Sequence, residues 1–202
     1  MSAPQLSGLC ARLREALLAT GETMSRFLAV PLQLDPDLAC TVVTGRKLEF
    51  EPSCPKGVGV GIDISGDLDG QLVLLFPHQS CRWITARLIG PGQSEELSPL
   101  ARSALQEVGN ILVSSFLSEL ENRFGVTSRL HPPRLSQGSP QELLDFFFPA
   151  HASEAVVVKG GFYSVDQQPL ARVILLLDQL QALALLAQPA PLDSRRESNR
   201  RL

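Results

Sequence analysis

The sequence predicts an α+β fold in which two long helices pack on an antiparallel sheet, the chain being a pseudo-duplication of one helix-plus-strands unit. Three observations carry this. Residues 9–28 and 99–124 both show apolar residues at helical spacing. Each stretch is followed within about ten residues by a proline and then by strand-like segments, a repeat with a period of about 95 residues. The strands come in pairs joined by turn residues rather than alternating singly with helices, which favours an antiparallel sheet with helices on a face over parallel βαβ units.

Taken in order, "LCARLREALLATGETMSRFL" presents Leu9, Leu13, Ala16, Leu17 and Phe27 as a helical apolar face, with Pro31 as its stop. "TVVTGRKLEF", residues 41–50, reads as strand, tight turn and strand. The strongest strand signal is "VGVGIDISGDLDGQLVLLF". There Val58, Val60, Ile62 and Ile64 alternate with small or polar residues before a Gly/Asp turn and a second strand. Asp63, Asp67 and Asp69 belong to turn chemistry, because the glycine and terminal glutamate of an EF-hand loop are not at the required offsets. "HQSCRWITARLIG" is a short helix ended by Gly90 and Pro91, and the second long helix runs Pro99 to Phe124 with Gly125 as its C-terminal stop. "VTSRLHPPRLSQGSP" follows as an extended, turn-rich connection. Then come strands in "EAVVVKGGFYSV" and "ARVILLL" and a closing helix around "DQLQALALLA". One domain is expected over residues 1–187, with pseudo-repeats at about 8–95 and 96–187 and a disordered tail over 188–202.

Composition narrows the function. A net charge of −3 and 5% aromatics provide neither the field nor the stacking platforms for nucleic acid. No basic leader and no run of about 18 apolar residues is present, so a cytoplasmic protein without membrane insertion is expected. Cys10, Cys40, Cys54 and Cys81 lack C-x-x-C spacing and read as buried free thiols, with no metal site.

The most unusual stretch is "SALQEVGNILVSSFLSEL", residues 103–120. Gly109 costs about 1 kcal/mol against alanine inside a helix, and Asn110 is a mediocre helix former. At roughly 100° per residue, Ser103, Glu107, Asn110 and Ser114 share one face, opposite Leu105, Val108, Leu112 and Phe116. Glu107 and Asn110, three apart, project together. Gly109 beside them removes bulk, which would let a partner approach the backbone closely. On pattern alone the stripe also reads as a solvated polar face.

This stretch resembles the signature helix of the CheC/CheX/FliY phosphatases of bacterial chemotaxis, and among them CheC. Their motif is Asp or Ser, three residues, Glu, two residues, Asn, then twenty-two residues and Pro; here Ser103, Glu107, Asn110 and Pro133 fit it. Ser115, Glu119 and Asn122 repeat the short part of the motif, but Asp145 stands where the proline would be. "DISGDLDGQLVLLFP" resembles the family's central hairpin. CheC proteins carry two copies of the motif. In the first half, with Pro36 or its neighbour as the proline, the Asn falls on Leu13 or Arg14 and the Glu on Cys10 or Ala11, so the first site is expected to be lost.

The resemblance implies a phosphatase that hydrolyses the aspartyl phosphate of a CheY-like response regulator. Glu107 and Asn110 would be catalytic, with Ser103, Gly109, Ser114 and Pro133 binding or supporting. It implies no cofactor on this chain, because the receiver domain brings its own Mg²⁺, and it implies that the Glu pairs with the receiver's active-site lysine. Of His78, His131 and His151, only His131 lies near the motif's proline, and the motif contains no histidine. The rival reading is a non-catalytic adaptor that binds a receiver domain or a CheD-like deamidase. A flagellar-switch role would call for an appended switch domain, for which 202 residues leave no room.

Overall fold

Helix α1 spans Ala3–Leu28, with Pro4 in its first turn, where a missing N–H costs no hydrogen bond. The structure is a computed structural model and describes residues 1–43, 56–90, 97–148, 155–166 and 168–188. The buried face of α1 is Leu9, Leu13, Ala16, Leu17, Thr20, Gly21, Met24 and Leu28. Phe27, expected on that face, is 39% exposed, because the buried stripe has drifted round to Met24 and Leu28 by the last turn. The helix ends at Ala29 in the left-handed region, φ 51°, a conformation that costs a residue bearing Cβ about 1–2 kcal/mol. Arg87 of helix α2 (His78–Ile89) supports this end, donating from Nε to Leu28 O at 2.8 Å and from Nη2 to Ala29 O at 3.1 Å.

Between these helices lie strands β1 (Leu32–Leu34), β2 (Ala39–Val43), β3 (Gly57–Gly66) and β4 (Gly70–Pro77). The expected strand–turn–strand unit is a strand as far as Val43; its remainder, 44–50, lies outside the described residues. The second half repeats the order with α3 (Pro99–Phe124), β5 (Ser128–Leu130), β6 (Arg134–Gly138), β7 (Ala155–Ser164), β8 (Pro169–Asp178) and α5 (Gln179–Ala187). Among the described residues only α4 (Pro140–Phe147) interrupts the repeat. The expected tail beyond 188 lies outside the described residues.

All described strand pairings are antiparallel, and the sheet path is β1-β7-β8-β4-β3-β5, with β2 on β7 and β6 on β3. The short strands of each half therefore pair with the long strand of the other, and β4 joins β8 at the centre. One face packs under α1, α2, α3 and α5 through Val58, Val60, Ile62, Leu72, Leu74, Phe76, Val156, Val158 and Leu175. The other face is also apolar. Val73, Leu75, Val157, Ile174 and Leu176 meet Leu143, Leu144 and Phe147 of α4, which explains why "QLVLLF" and "VILLL" are unbroken apolar runs rather than alternating ones.

Helix α4 begins at the last residue of the connection expected to be extended and runs on through 141–147, where no element was expected. Its start is a capping box in which Glu142 N–H donates to Ser139 Oγ at 3.3 Å and Ser139 N–H to Glu142 Oε2 at 2.7 Å, with Pro140 at the first helical position. The ring of Phe147 lies against bare backbone, since a Cβ at Gly59 or Gly61 would collide with it. The aspartates of the β3–β4 turn serve the fold. Asp69 Oδ1 accepts from Gly66 N–H at 2.8 Å, and Asp67 Oδ2 accepts from Thr127 N–H at 3.0 Å, just beyond α3. Among the described residues no helix is long and apolar enough to cross a membrane.

One expected site residue is corrected here. Gly109 is buried and faces the sheet rather than a partner, and a methyl group on it would stand 2.7 Å from Val60 Cγ1. The glycine is there because α3 rests its backbone on β3. Gly109→Ala should therefore destabilise the protein: overpacking against a β-branched side chain costs about 1–3 kcal/mol, more than the roughly 1 kcal/mol of helix propensity it gains. A lower urea midpoint at unchanged m-value checks this. On the opposite face, Phe147→Ala should lower stability by about 3–5 kcal/mol, because it empties the space that Gly59 and Gly61 leave open.

Candidate functional site

Helix α3 is firmly bounded. Ser98 Oγ accepts from Ala101 N–H at 3.2 Å, Pro99 opens the first turn, and Gly125, φ 69°, ends the helix with its N–H on Glu121 O at 2.8 Å. Leu105, Val108, Gly109, Leu112, Val113 and Phe116 face inward. Ser103 and Glu107 are exposed, while Asn110 and Ser114 are half-buried. The four thus line one outward stripe of a helix anchored along its whole opposite side. Among the described residues, no hydrogen bond engages the side chain of Glu107 or Asn110, so neither group is consumed in holding the fold together.

Pro133 is half-buried in the connection between β5 and β6. Gln106 Nε2 donates to Pro133 O at 3.0 Å, tying this loop to α3 one residue before Glu107. A turn earlier, Arg102 Nη1 reaches Gln137 Oε1 at 3.4 Å. The other side of the loop is held by β3. His131 N–H donates to Asp63 O at 3.0 Å, its ring Nε2 lies 2.9 Å from Ser65 Oγ, and Arg134 Nη2 lies 3.2 Å from Asp63 Oδ1, which also accepts from the Gln71 amide. His131 is thereby directed at β3 rather than at the stripe. Gln106 was not singled out from the sequence, because its partner lies 27 residues further on and no local pattern announces it.

The first half offers a direct comparison. Superposing the left-handed helix ends Ala29 and Gly125 also superposes β1 on β5, and it sets Ala11 at the position of Glu107 and Arg14 at that of Asn110. Leu13, the other candidate, is fully buried. Arg14 Nη1 donates to Pro36 O at 2.9 Å and Asp35 O at 3.5 Å. That face of α1 therefore has no carboxylate–amide pair at these two positions, and Arg14 is engaged by the neighbouring loop. An open groove of about 530 Å³, lined by Leu18, Glu22, Leu34 and Tyr163 among others, lies between α1 and β1, in this half.

The repeated short motif is used structurally: Glu119 Oε2 pairs with Arg123 Nε at 3.0 Å, and Arg123 Nη1 reaches Glu15 of α1 at 3.2 Å. Asp145 sits in α4, on the far side of the sheet. Of the cysteines read as buried, Cys81 is buried, whereas Cys10 and Cys40 are half-buried, because α1 and β2 meet at the sheet margin. Cys10 Sγ donates to Leu38 O at 3.2 Å, and burial together with the neighbouring Cys10 thiol pushes the Cys40 thiol up. Cys54 and His151 lie outside the described residues. Among the described residues no three His, Cys, Asp or Glu side chains cluster as metal ligands would.

Comparison with known proteins adds three findings. A family model described as chemotaxis phosphatase CheX matches residues 58–146, a span that contains Ser103, Glu107, Asn110 and Pro133. A Halobacterium salinarum protein, CheC1, described as a candidate CheY-P phosphatase, is 29% identical over 163 residues, covering 79% of this chain and 83% of its own. Among solved structures, Thermotoga maritima FliY shares the fold at TM-score 0.69 and 15% identity, covering 92% of this chain and 95% of that one. A CheC-like superfamily protein from Shewanella sp. PV-4 matches at TM-score 0.58 and 12% identity, over 88% and 99% of the two chains. A chain of the CheX–CheY–BeF3–Mg²⁺ complex from Borrelia burgdorferi matches at TM-score 0.54 and 17% identity, over 82% and 97%. The family model and the relative point to one group, these solved structures share the fold, and the resemblance of this chain is to the CheC/CheX/FliY proteins of chemotaxis.

Proposed function

We propose that this protein accelerates hydrolysis of the aspartyl phosphate on a CheY-like response regulator, in the cytoplasm, through a single site made by Glu107 and Asn110. The observation that carries the reading is their placement. A carboxylate and an amide stand side by side on the outward face of a rigid helix, unengaged by the chain itself, within the segment the CheX family model matches. The family model and the description of the CheC1 relative support the substrate class.

The chemistry asks little of the chain. Hydrolysis of a phosphoryl group is accelerated chiefly by placing water in line and by stabilising charge. The Mg²⁺ is part of the substrate, carried by the receiver. An Asn amide both donates and accepts, so Asn110 can orient the attacking water. Glu107 would be repelled by the charge developing on the phosphoryl group and is better used on a cation. The family resemblance supplies one, the receiver's active-site lysine. Ser103 and Ser114 extend the polar stripe on either side, and Pro133, with fixed φ and no N–H, shapes the loop that borders it. Gly109 works from beneath by seating the helix.

An adaptor that binds a receiver domain or a CheD-like deamidase without hydrolysis is the second reading. It draws on the first half, where Ala11 and Arg14 have replaced the pair. The discriminating experiment is phosphate release from a panel of receivers charged with acetyl phosphate, with and without the protein; acceleration of none would select the adaptor.

The two polar residues should fail differently. Asn110→Ala removes a group needed as water attacks, so kcat should fall about a hundredfold or more with affinity for the phosphorylated receiver nearly intact. The same variant checks the single site, since half of the wild-type rate remaining would mean that α1 contributes another. Glu107→Lys sets like charge against the receiver's lysine and should weaken binding more at low salt than at high salt. Affinity and single-turnover rate measured for both variants decide. Loss of binding in Asn110→Ala with retention in Glu107→Lys would reverse the roles.

A further inference from the structure

We propose that Cys10 and Cys40 are a peroxide-sensitive dithiol that closes to a disulfide and fastens strand β2 to helix α1.

The pairing of β2 with β7 aims the second sulfur. Cys40 stands opposite Val158 and Val42 opposite Val156, and both valines lie in the core beneath the long helices. Directly opposed residues of an antiparallel pair share a face, so Cys40 points to the α1 side of the sheet. From the helix, Cys10 Sγ donates to Leu38 O at 3.2 Å, two residues before Cys40. The two thiols are within hydrogen-bonding reach of each other, and both are half-buried, so a small oxidant has access. Cys81, by contrast, is buried in α2 and donates to Phe76 O at 3.6 Å.

The second half has the same tie without the sulfurs. Aligning Ala39–Val43 with Arg134–Gly138 sets Leu135 at the position of Cys40 and Pro133 at that of Leu38. There the helix-to-loop bond is Gln106 Nε2 to Pro133 O, and neither Gln106 nor Leu135 can be joined covalently by oxidation. Among the described residues β2 has no strand partner except β7, so a bond from Cys40 to α1 would secure a strand held on one side.

The thiolate is the attacking form. Burial and the Cys10 thiol push the Cys40 thiol up, which assigns the first attack to Cys10. Its sulfur takes an oxygen from the peroxide as the O–O bond breaks, giving a sulfenic acid and an alcohol, or water when the oxidant is hydrogen peroxide. The Cys40 sulfur then attacks that sulfur. The S–S bond forms, the S–O bond breaks, and the hydroxyl leaves with the Cys40 proton as water.

Each of the four cysteines falls in a different tryptic peptide, so non-reducing peptide mapping of the full chain after hydrogen peroxide identifies any pair. In the folded protein the peptides of Cys10 and Cys40 should appear joined, lighter by two hydrogens, and separate again with dithiothreitol. The joined form should unfold about 5 °C or more above the reduced form. In concentrated urea the pairing should pass to Cys40 and Cys54, which close the shortest loop. Cys40→Ser should leave a sulfenic acid on Cys10 that dimedone traps, whereas Cys10→Ser should leave Cys40 a thiol; thermal unfolding of each reduced variant controls for folding. Absence of the Cys10–Cys40 link in the folded wild-type protein, a different pair in its place, or the same pair predominating in urea would overturn the proposal. A link that leaves the unfolding midpoint unchanged would overturn the fastening of β2.

Discussion

At Gly109 the backbone of α3 comes so near strand β3 that a methyl group there would stand 2.7 Å from Val60 Cγ1, and the geometry of the site follows from that approach. A helix seated this closely cannot roll. Val108, Leu112 and Phe116 are driven into the core on either side of the contact, and the residues opposite them, Ser103, Glu107, Asn110 and Ser114, are turned outward. The roughly 1 kcal/mol that glycine costs in a helix is thus offset by packing. What the packing provides is a carboxylate and an amide whose direction is set by a rigid element rather than by a loop, the condition under which positioning contributes most to a rate.

The exchange of short strands gives the two halves a common fate. β1 and β2 complete the sheet beside β7, and β5 and β6 complete it beside β3, so each half supplies an edge that the other needs. An architecture of this kind offers two equivalent helix faces, and the chain has spent them differently. On α1 the outward position facing the loop is Arg14, hydrogen-bonded to Pro36 O, and its neighbour Ala11 carries no charge. On α3 Gln106 donates to Pro133 O, and among the described residues the side chains of Glu107 and Asn110 make no hydrogen bond. The left-handed helix ends follow the same asymmetry. Gly125 adopts its conformation without strain, whereas Ala29 does so under the support of Arg87 from α2.

The far face of the sheet explains why so many strand residues are apolar in unbroken runs. With α4 laid across it, Val73, Leu75, Ile174 and Leu176 are as buried as the residues under the long helices. Gly59 and Gly61 alternate with Val58, Val60 and Ile62 because the ring of Phe147 occupies the space their side chains would fill. The glycines of "VGVGI" are therefore the complement of a residue more than eighty positions away.

By itself, the sequence determined the local features: where the long helices run, where Gly125 stops α3, the β3–β4 hairpin, and the spacing that puts Glu107 and Asn110 on one face. Each depends on periodicity and turn chemistry within a few residues, and there the sequence is explicit. The capping box at Ser139 and Glu142 is equally local in the structure, and α4 starts from it at the end of the turn-rich connection. Only the tertiary structure decided the rest. It turned Gly109 to the sheet, passed over Phe27 for the core, tied Gln106 to Pro133, and chose Arg14 over Leu13 as the counterpart of Asn110. These outcomes depend on which distant surface meets each side chain, and a one-dimensional pattern fixes the face a residue shares without fixing what that face is pressed against.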